Sequence, residues 1–225
     1  MSGISGGDSG DYAADMTVTV GKIQIADGAA HWRAAGFSVD DDGSTRIGTV
    51  RIELLGRADE SGILSWSVTG LSEDTTIDGV ATTRTADAPA RPAEHLNGVT
   101  AIDHLVLRSP HLERTIDALG TVDLHPRGDR LGAFAGAPIR QIFYRLGPLL
   151  LEVVGDPADA GEGPSQLWGI TYTVSDIEHT AAFFGSHASA VRPAVQPGRR
   201  ILTLRHAGLG LSVPTAMISA PILRP

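Results

Sequence analysis

"RLGPLLLEVVG", residues 145–155, decides the fold, because a close copy, "RIGTVRIELLG", occupies residues 46–56. Arg, Gly, Glu and the final Gly are identical, and most other differences exchange one aliphatic side chain for another. A phrase used twice in one chain marks a repeated structural unit that cannot close a core alone. Each copy sets a glutamate, Glu152 or Glu53, inside an apolar run. Carboxylates are rarely buried unless they are paired or ligate something, so both glutamates ask for partners.

Working outward from the second copy, "TAIDHLVLRS" (100–109) predicts a strand. Ser109-Pro110 predicts a helix start, with Leu112, Ile116 and Leu119 as its apolar stripe and Gly120 as its end. "TVDLH" (121–125) is expected to be a short strand, and the Gly-rich stretch after it a loop. Residues 138–155 are expected to form two strands hinged at Gly147-Pro148. The same order then returns: strand 167–175, helix 176–185, a short strand, and a hairpin over 199–213 turning at Ala207-Gly208. Strands alternating with single helices and then running as hairpins indicate an α+β fold.

The first copy has a shorter setting. "MTVTVGKIQIA" (16–26) predicts a strand with a shift near Gly21, followed by a brief helix that Asp27 caps and Gly36 ends. "GILSWSVTGL" (62–71) resembles the strand at 167 but stops before a helix. Residues 16–82 therefore form a shortened, degenerate pair of modules. Glu53 matches Glu152, yet its first-strand counterpart falls around Val20 to Lys22, where no histidine stands. This copy is expected to be structural, either packed on its own chain or exchanged with another. Residues 83–99, rich in Thr, Ala and Pro, are the linker candidate, and residues 1–15 are expected to be a disordered tail.

The paired β-α-β-β-β order, with "DHLVLRSPHLERT" opening a module and "RLGPLLLEVVG" closing it, resembles the vicinal oxygen chelate superfamily. That group is also called the glyoxalase/bleomycin-resistance/extradiol-dioxygenase superfamily. "QLWGITYTVSDI" and "QPGRRILTLRHAGLGLSVP" look like its bacterial glyoxalase-like members. The resemblance covers residues 100–215, as modules 100–155 and 167–214. It implies a partly closed mixed sheet, a cup, that often holds a divalent metal (Zn, Mn, Ni or Fe). Carried over by position, the metal ligands would be His104 and Glu152, with Glu152 also the acid/base group. The matching positions of the other module are Gly169 and Ser212, neither a good ligand. The implied activity is a metal-assisted lyase or isomerase; the alternative is non-catalytic binding or sequestering of a small molecule, as in resistance proteins.

The residues alone leave three readings of His104 and Glu152 open: a metal site, a polar pair without metal, or neither. Strict strand alternation puts Ile102, Val106 and Arg108 on the face of His104, opposite Gly169, Thr171 and Thr173. Arg108 and Thr171 are then substrate-binding candidates, with Arg108 suited to an anionic or carbonyl-bearing ligand. Trp32, Trp66 and Trp168 are expected in the core.

Composition removes other classes. The formal charge is −8 without a basic stretch, which argues against nucleic acid and anionic membranes as partners. No cysteine is present, which excludes disulfides and thiol chemistry. No P-loop, dinucleotide fingerprint or HExxH occurs, so no nucleotide cofactor is expected. With no signal peptide or membrane-length apolar run, the expected location is cytoplasmic, and a homodimer is a possible assembly.

Overall fold

The apolar phrases pair into two sheets. In this computed structural model residues 18–134, 136–158 and 160–221 are described; the tail expected at 1–15 lies outside them. The N-terminal part runs β1 (Thr19–Ile25), α1 (Ala29–Ala34), β2 (Ser44–Ile47), β3 (Val50–Leu54), β4 (Ile63–Thr69), β5 (Thr75–Ile77) and β6 (Val80–Arg84). The C-terminal part runs β7 (Val99–Arg108), α2 (Leu112–Gly120), β8 (Gly128–Phe134), β9 (Ala137–Leu146), β10 (Leu149–Gly155), β11 (Gln166–Val174), α3 (Ile177–Phe184), β12 (Arg192–Pro193), β13 (Arg200–Thr203) and β14 (Thr215–Ser219). The eight-stranded sheet has the order β12-β13-β14-β11-β7-β10-β9-β8. It is the paired βαβββ cup of vicinal oxygen chelate type, curled and partly closed.

The six-stranded sheet, β2-β3-β1-β4-β6-β5, is the same arrangement with its outermost strand missing on each side. In both sheets the first strands of two modules pair antiparallel at the centre, and each pairs in parallel with its own module's last strand. The equivalence extends to single residues. Between β7 and β11 the ladder skips Asp103 on one strand and Trp168 on the other. Between β1 and β4 it skips Gly21 and Leu64 at the corresponding rungs. Each skipped residue is a β-bulge, which leaves one residue unpaired and bends its strand. Four modules thus carry one bulge in one place, and Lys22, Ser65, His104 and Gly169 follow it.

The two sheets turn their apolar faces toward one another. Ile23, Ile52 and Trp66 of the smaller sheet and Leu105, Leu151, Ile170 and Tyr172 of the larger belong to one continuous core. Polar locks fix the join. Asp27 accepts the N–H of Ser212 and the indole N–H of Trp32. Asp78, in the β5–β6 turn, has its carboxyl covered beside the Arg114 guanidinium (2.5 Å) and accepts from Ser165 Oγ (2.6 Å). Gly79 beside it has φ +87° and lies so close to Pro164 that an added Cβ would stand 2.2 Å from the proline Cβ. Only glycine fits both the backbone conformation and the contact.

Several boundaries differ from expectation. Residues 121–125 are a turn at 121–123 followed by irregular chain, and the stretch expected as a loop contains β8. This edge strand is largely exposed and carries no core-facing alternation for a sequence pattern to reveal. His111, not Ser109, caps α2, and Gly28, not Asp27, caps α1. The last strand is β14, beyond Ser212, because a 3-10 turn at His206–Leu209 occupies the expected hairpin. The stretch between β6 and β7 is strapped to the body: Asn97 is fully buried and donates to the Ala35 carbonyl at 2.9 Å.

His95 lies in that strap, buried against Phe37, with Nδ1 accepting the Ser38 N–H at 3.1 Å. Nε2 has no partner among the described residues. Burial pushes the His95 imidazole below its ordinary value. The unfolded chain therefore takes up the proton first as pH falls. Stability is complete above about pH 6.5 and declines below it. Melting temperatures measured between pH 7.5 and 5 should show that decline, and it should shrink in His95→Gln, whose side-chain oxygen can still accept from Ser38. An unchanged pH slope would mean that His95 is not responsible.

Candidate functional site

Glu152 and His104 meet. Leu150 of β10 is the parallel partner of His104, and Glu152 lies two residues further along the same face. His104 Nε2 is 3.2 Å from Glu152 Oε2. On the other side of the ring, Nδ1 is 2.8 Å from Asp103 Oδ2. Neighbours in a regular strand point to opposite faces; the bulge at Asp103 lets it share the open face with His104. The same bulge turns Ile102, expected on the His104 face, into the core.

These contacts continue as a row across the sheet. Arg199 Nη2 stands 2.6 Å from Asp103 Oδ1, as an ion pair without an N–H aligned on the oxygen. Arg199 Nε donates to the Ser219 carbonyl at 2.8 Å. Gln141 Nε2 donates to Glu152 Oε1, and Arg130 Nε donates to Gln141 Oε1 at 2.9 Å. Arg130 also lies 5.2 Å above the Phe143 ring centre. Burial pushes the Asp103 carboxyl up, but the hydrogen bond with His104 and the nearby Arg199 guanidinium charge outweigh it and hold it below the ordinary carboxylate range. Both ring nitrogens of His104 face carboxylate oxygens.

Beside this row opens a cavity of about 480 Å³. Val106, Ile139, Val154 and Trp168 form apolar walls, and Glu152, Gln141 and Arg108 supply polar groups. Trp168, expected in the core, is 38% exposed here, while Trp32 and Trp66 are buried. It is the bulged residue of β11, so the extra residue presents the indole to the open face. Thr171 is the cross-strand partner of His104 and is buried, away from the cavity walls. Sequence reasoning missed Asp103, Arg199, Gln141 and Trp168 as site residues. The signal for Asp103 was its adjacency to His104, which strict alternation conceals.

The fold family's metal can be tested against this donor set. The second module supplies Gly169, where an added Cβ would stand 3.1 Å from the Pro214 carbonyl oxygen. By register the counterpart of Glu152 is Ala216, not Ser212. Neither can ligate. Ser212 instead accepts the Gly62 N–H at 2.6 Å in the join between sheets. Among the described residues no group of three His, Asp or Glu side chains is placed to hold a metal. His104 and Glu152 spend their facing atoms on one another, and two donors do not complete a tetrahedral or octahedral shell. The residues present do not fit the group.

The smaller sheet has a different filling. Lys22 and Glu53 occupy the positions of His104 and Glu152, 3.1 Å apart. Gln24 donates to Glu53 at 2.9 Å and accepts from Ser65 at 2.7 Å. Glu53 thus has partners after all, but they are an ammonium and an amide.

No protein-family model and no curated protein matches the sequence. Solved structures share the fold. A variant of 4-hydroxymandelate synthase from Streptomyces coelicolor aligns with a TM-score of 0.58 and 11% identity, over 93% of this chain and 94% of that one. A xylose isomerase-like TIM barrel/4-hydroxyphenylpyruvate dioxygenase fusion protein aligns with a TM-score of 0.59 and 11% identity, over 92% of this chain. There the chain spans about half of the other protein, 49%. A methylmalonyl-CoA epimerase from Mycobacterium tuberculosis has a TM-score of 0.44 and 14% identity, over 55% of this chain and 91% of that one.

The pairing of His104 with Glu152 is open to a double-mutant cycle. Removing one member of a buried polar pair leaves the other without its partner, so His104→Gln and Glu152→Gln should each cost about 1–3 kcal/mol in urea unfolding. The double variant should cost less than their sum by about 1–3 kcal/mol. Additive losses would show that the two side chains do not interact.

Proposed function

We propose that this chain is a metal-independent small-molecule binding protein of the vicinal oxygen chelate superfamily. Its site is the cavity between Trp168 and Glu152. The observation that carries the reading is that His104 and Glu152 close on each other beside a preformed, mostly apolar cup. A cavity of that size with a few convergent polar groups suits a small organic ligand. Arg108 is the proposed ligand-binding cation at its rim. The opposing positions, Gly169 and Ala216, leave room where the implied metal shell would need donors. Among the described residues no helix is long and apolar enough to cross a membrane.

Binding of the neutral fluorescent probe N-phenyl-1-naphthylamine tests the reading. We expect one probe per chain at micromolar concentration in EDTA-containing buffer, with binding weakened roughly tenfold, or about 1.4 kcal/mol, in Trp168→Ala. Binding that requires added Zn, Mn, Ni or Fe would overturn metal independence. No saturable binding under either condition would overturn the cup as a site.

A further inference from the structure

The charges around the cup are unevenly used. Glu152 is engaged on both oxygens, by His104 and by Gln141. Asp103 is held by His104 and Arg199. Asp156, at the rim, accepts the Ala158 N–H at 2.9 Å. Arg108 also lines the cavity, yet it has no ion-pair partner among the described residues. A guanidinium offers a planar fork of donors matched to a carboxylate, and it is always charged. Arg108 is thus the one cation among the described residues lining the cavity, which it shares with the carboxylates of Glu152 and Asp156.

Its position relative to the indole is set by the ladder. Arg108 pairs with Gln166, and Trp168 is the extra residue inserted between the partners of Leu107 and Val106. The bulge thus makes Trp168 and Arg108 cross-strand neighbours on the open face. Val106, Ile139 and Val154 continue the apolar wall, with Val154 the parallel partner of Arg108 on the adjacent strand. A flat ring lying along the indole and this wall would carry a substituent directly to Arg108. Aromatic rings prefer such offset or edge contacts with indole, and the desolvated wall strengthens the adjacent charge contact.

We propose that the cup takes a planar aromatic molecule bearing a carboxylate or similar anion, with its ring against Trp168 and its anion on Arg108. This inference rests on the binding role proposed above and adds the charge class of the ligand. Glu152, already satisfied, lines the same cavity and disfavours a second anion.

Three probes that share one ring system separate the possibilities: 2-naphthoate, 2-naphthalenemethanol and 2-naphthylmethylammonium. Each is titrated calorimetrically into the full chain with EDTA present. The expected result is that naphthoate binds at least tenfold more tightly than the alcohol and the alcohol more tightly than the ammonium. Arg108→Gln should bring naphthoate to the level of the alcohol without altering alcohol binding, and Trp168→Ala should weaken all that bind. Circular dichroism checks that both variants fold. Tighter binding of the ammonium, or an unchanged preference in Arg108→Gln, would overturn the anion assignment while leaving the binding role intact. Failure of all three probes would overturn both.

Discussion

A strand that carries one extra residue cannot keep its side chains alternating, and this constraint organises the open faces of both sheets. The bulge follows the same rung in β1, β4, β7 and β11. On β7 it brings Asp103 beside His104, and on β11 it brings Trp168 beside Gly169. Without it, Asp103 would point into the apolar core, where an ionised carboxylate costs several kcal/mol unless paired. His104 would then lose the partner that orients its ring. The Arg199–Asp103–His104 end of the charged row and the aromatic wall of the cup both follow from that irregularity.

The repeated bulge also shows how one scaffold was put to different uses. In the smaller sheet the positions after the bulge hold Lys22 and Ser65, and the facing last strand holds Glu53. These side chains neutralise one another on a polar face. In the larger sheet the corresponding set is His104, Gly169 and Glu152, beside valines, an isoleucine and a tryptophan. Polar groups lie on one wall, and the opposite positions are stripped to glycine and alanine. The glutamate survives in both sheets because each has a donor within reach. Its retention is a matter of charge satisfaction before it is a matter of chemistry.

The fold was legible because aliphatic runs, turn glycines and the repeated "R-[IL]-G…E…G" phrase are local signals that packing reinforces. The pair of modules and its shortened predecessor follow from them. The convergence of His104 on Glu152 was open to inference from their strands, as one of three alternatives. Other features were hidden for physical reasons. Strict period-two reading fails at a bulge, so Ile102 was placed on the wrong face and Trp168 in the core. Edge strand β8 has no buried face to impose a pattern. Arg199 and Gln141 reach the site through tertiary contacts made by separate strands, and Ser212 serves the join between sheets because the last strand begins later than its glycines suggest.

The central claim is that His104 and Glu152 are partners of each other and not ligands of a metal. Nitrogen-15 spectra of the histidine side chains in the full-length protein test it most directly, recorded before and after one equivalent of Zn or Ni, with His104→Gln to assign the signals. The account predicts that the His104 ring resonances keep their positions, while Glu152→Gln moves them. A metal-induced shift of His104 Nε2 at one equivalent, reversed by EDTA, would contradict it.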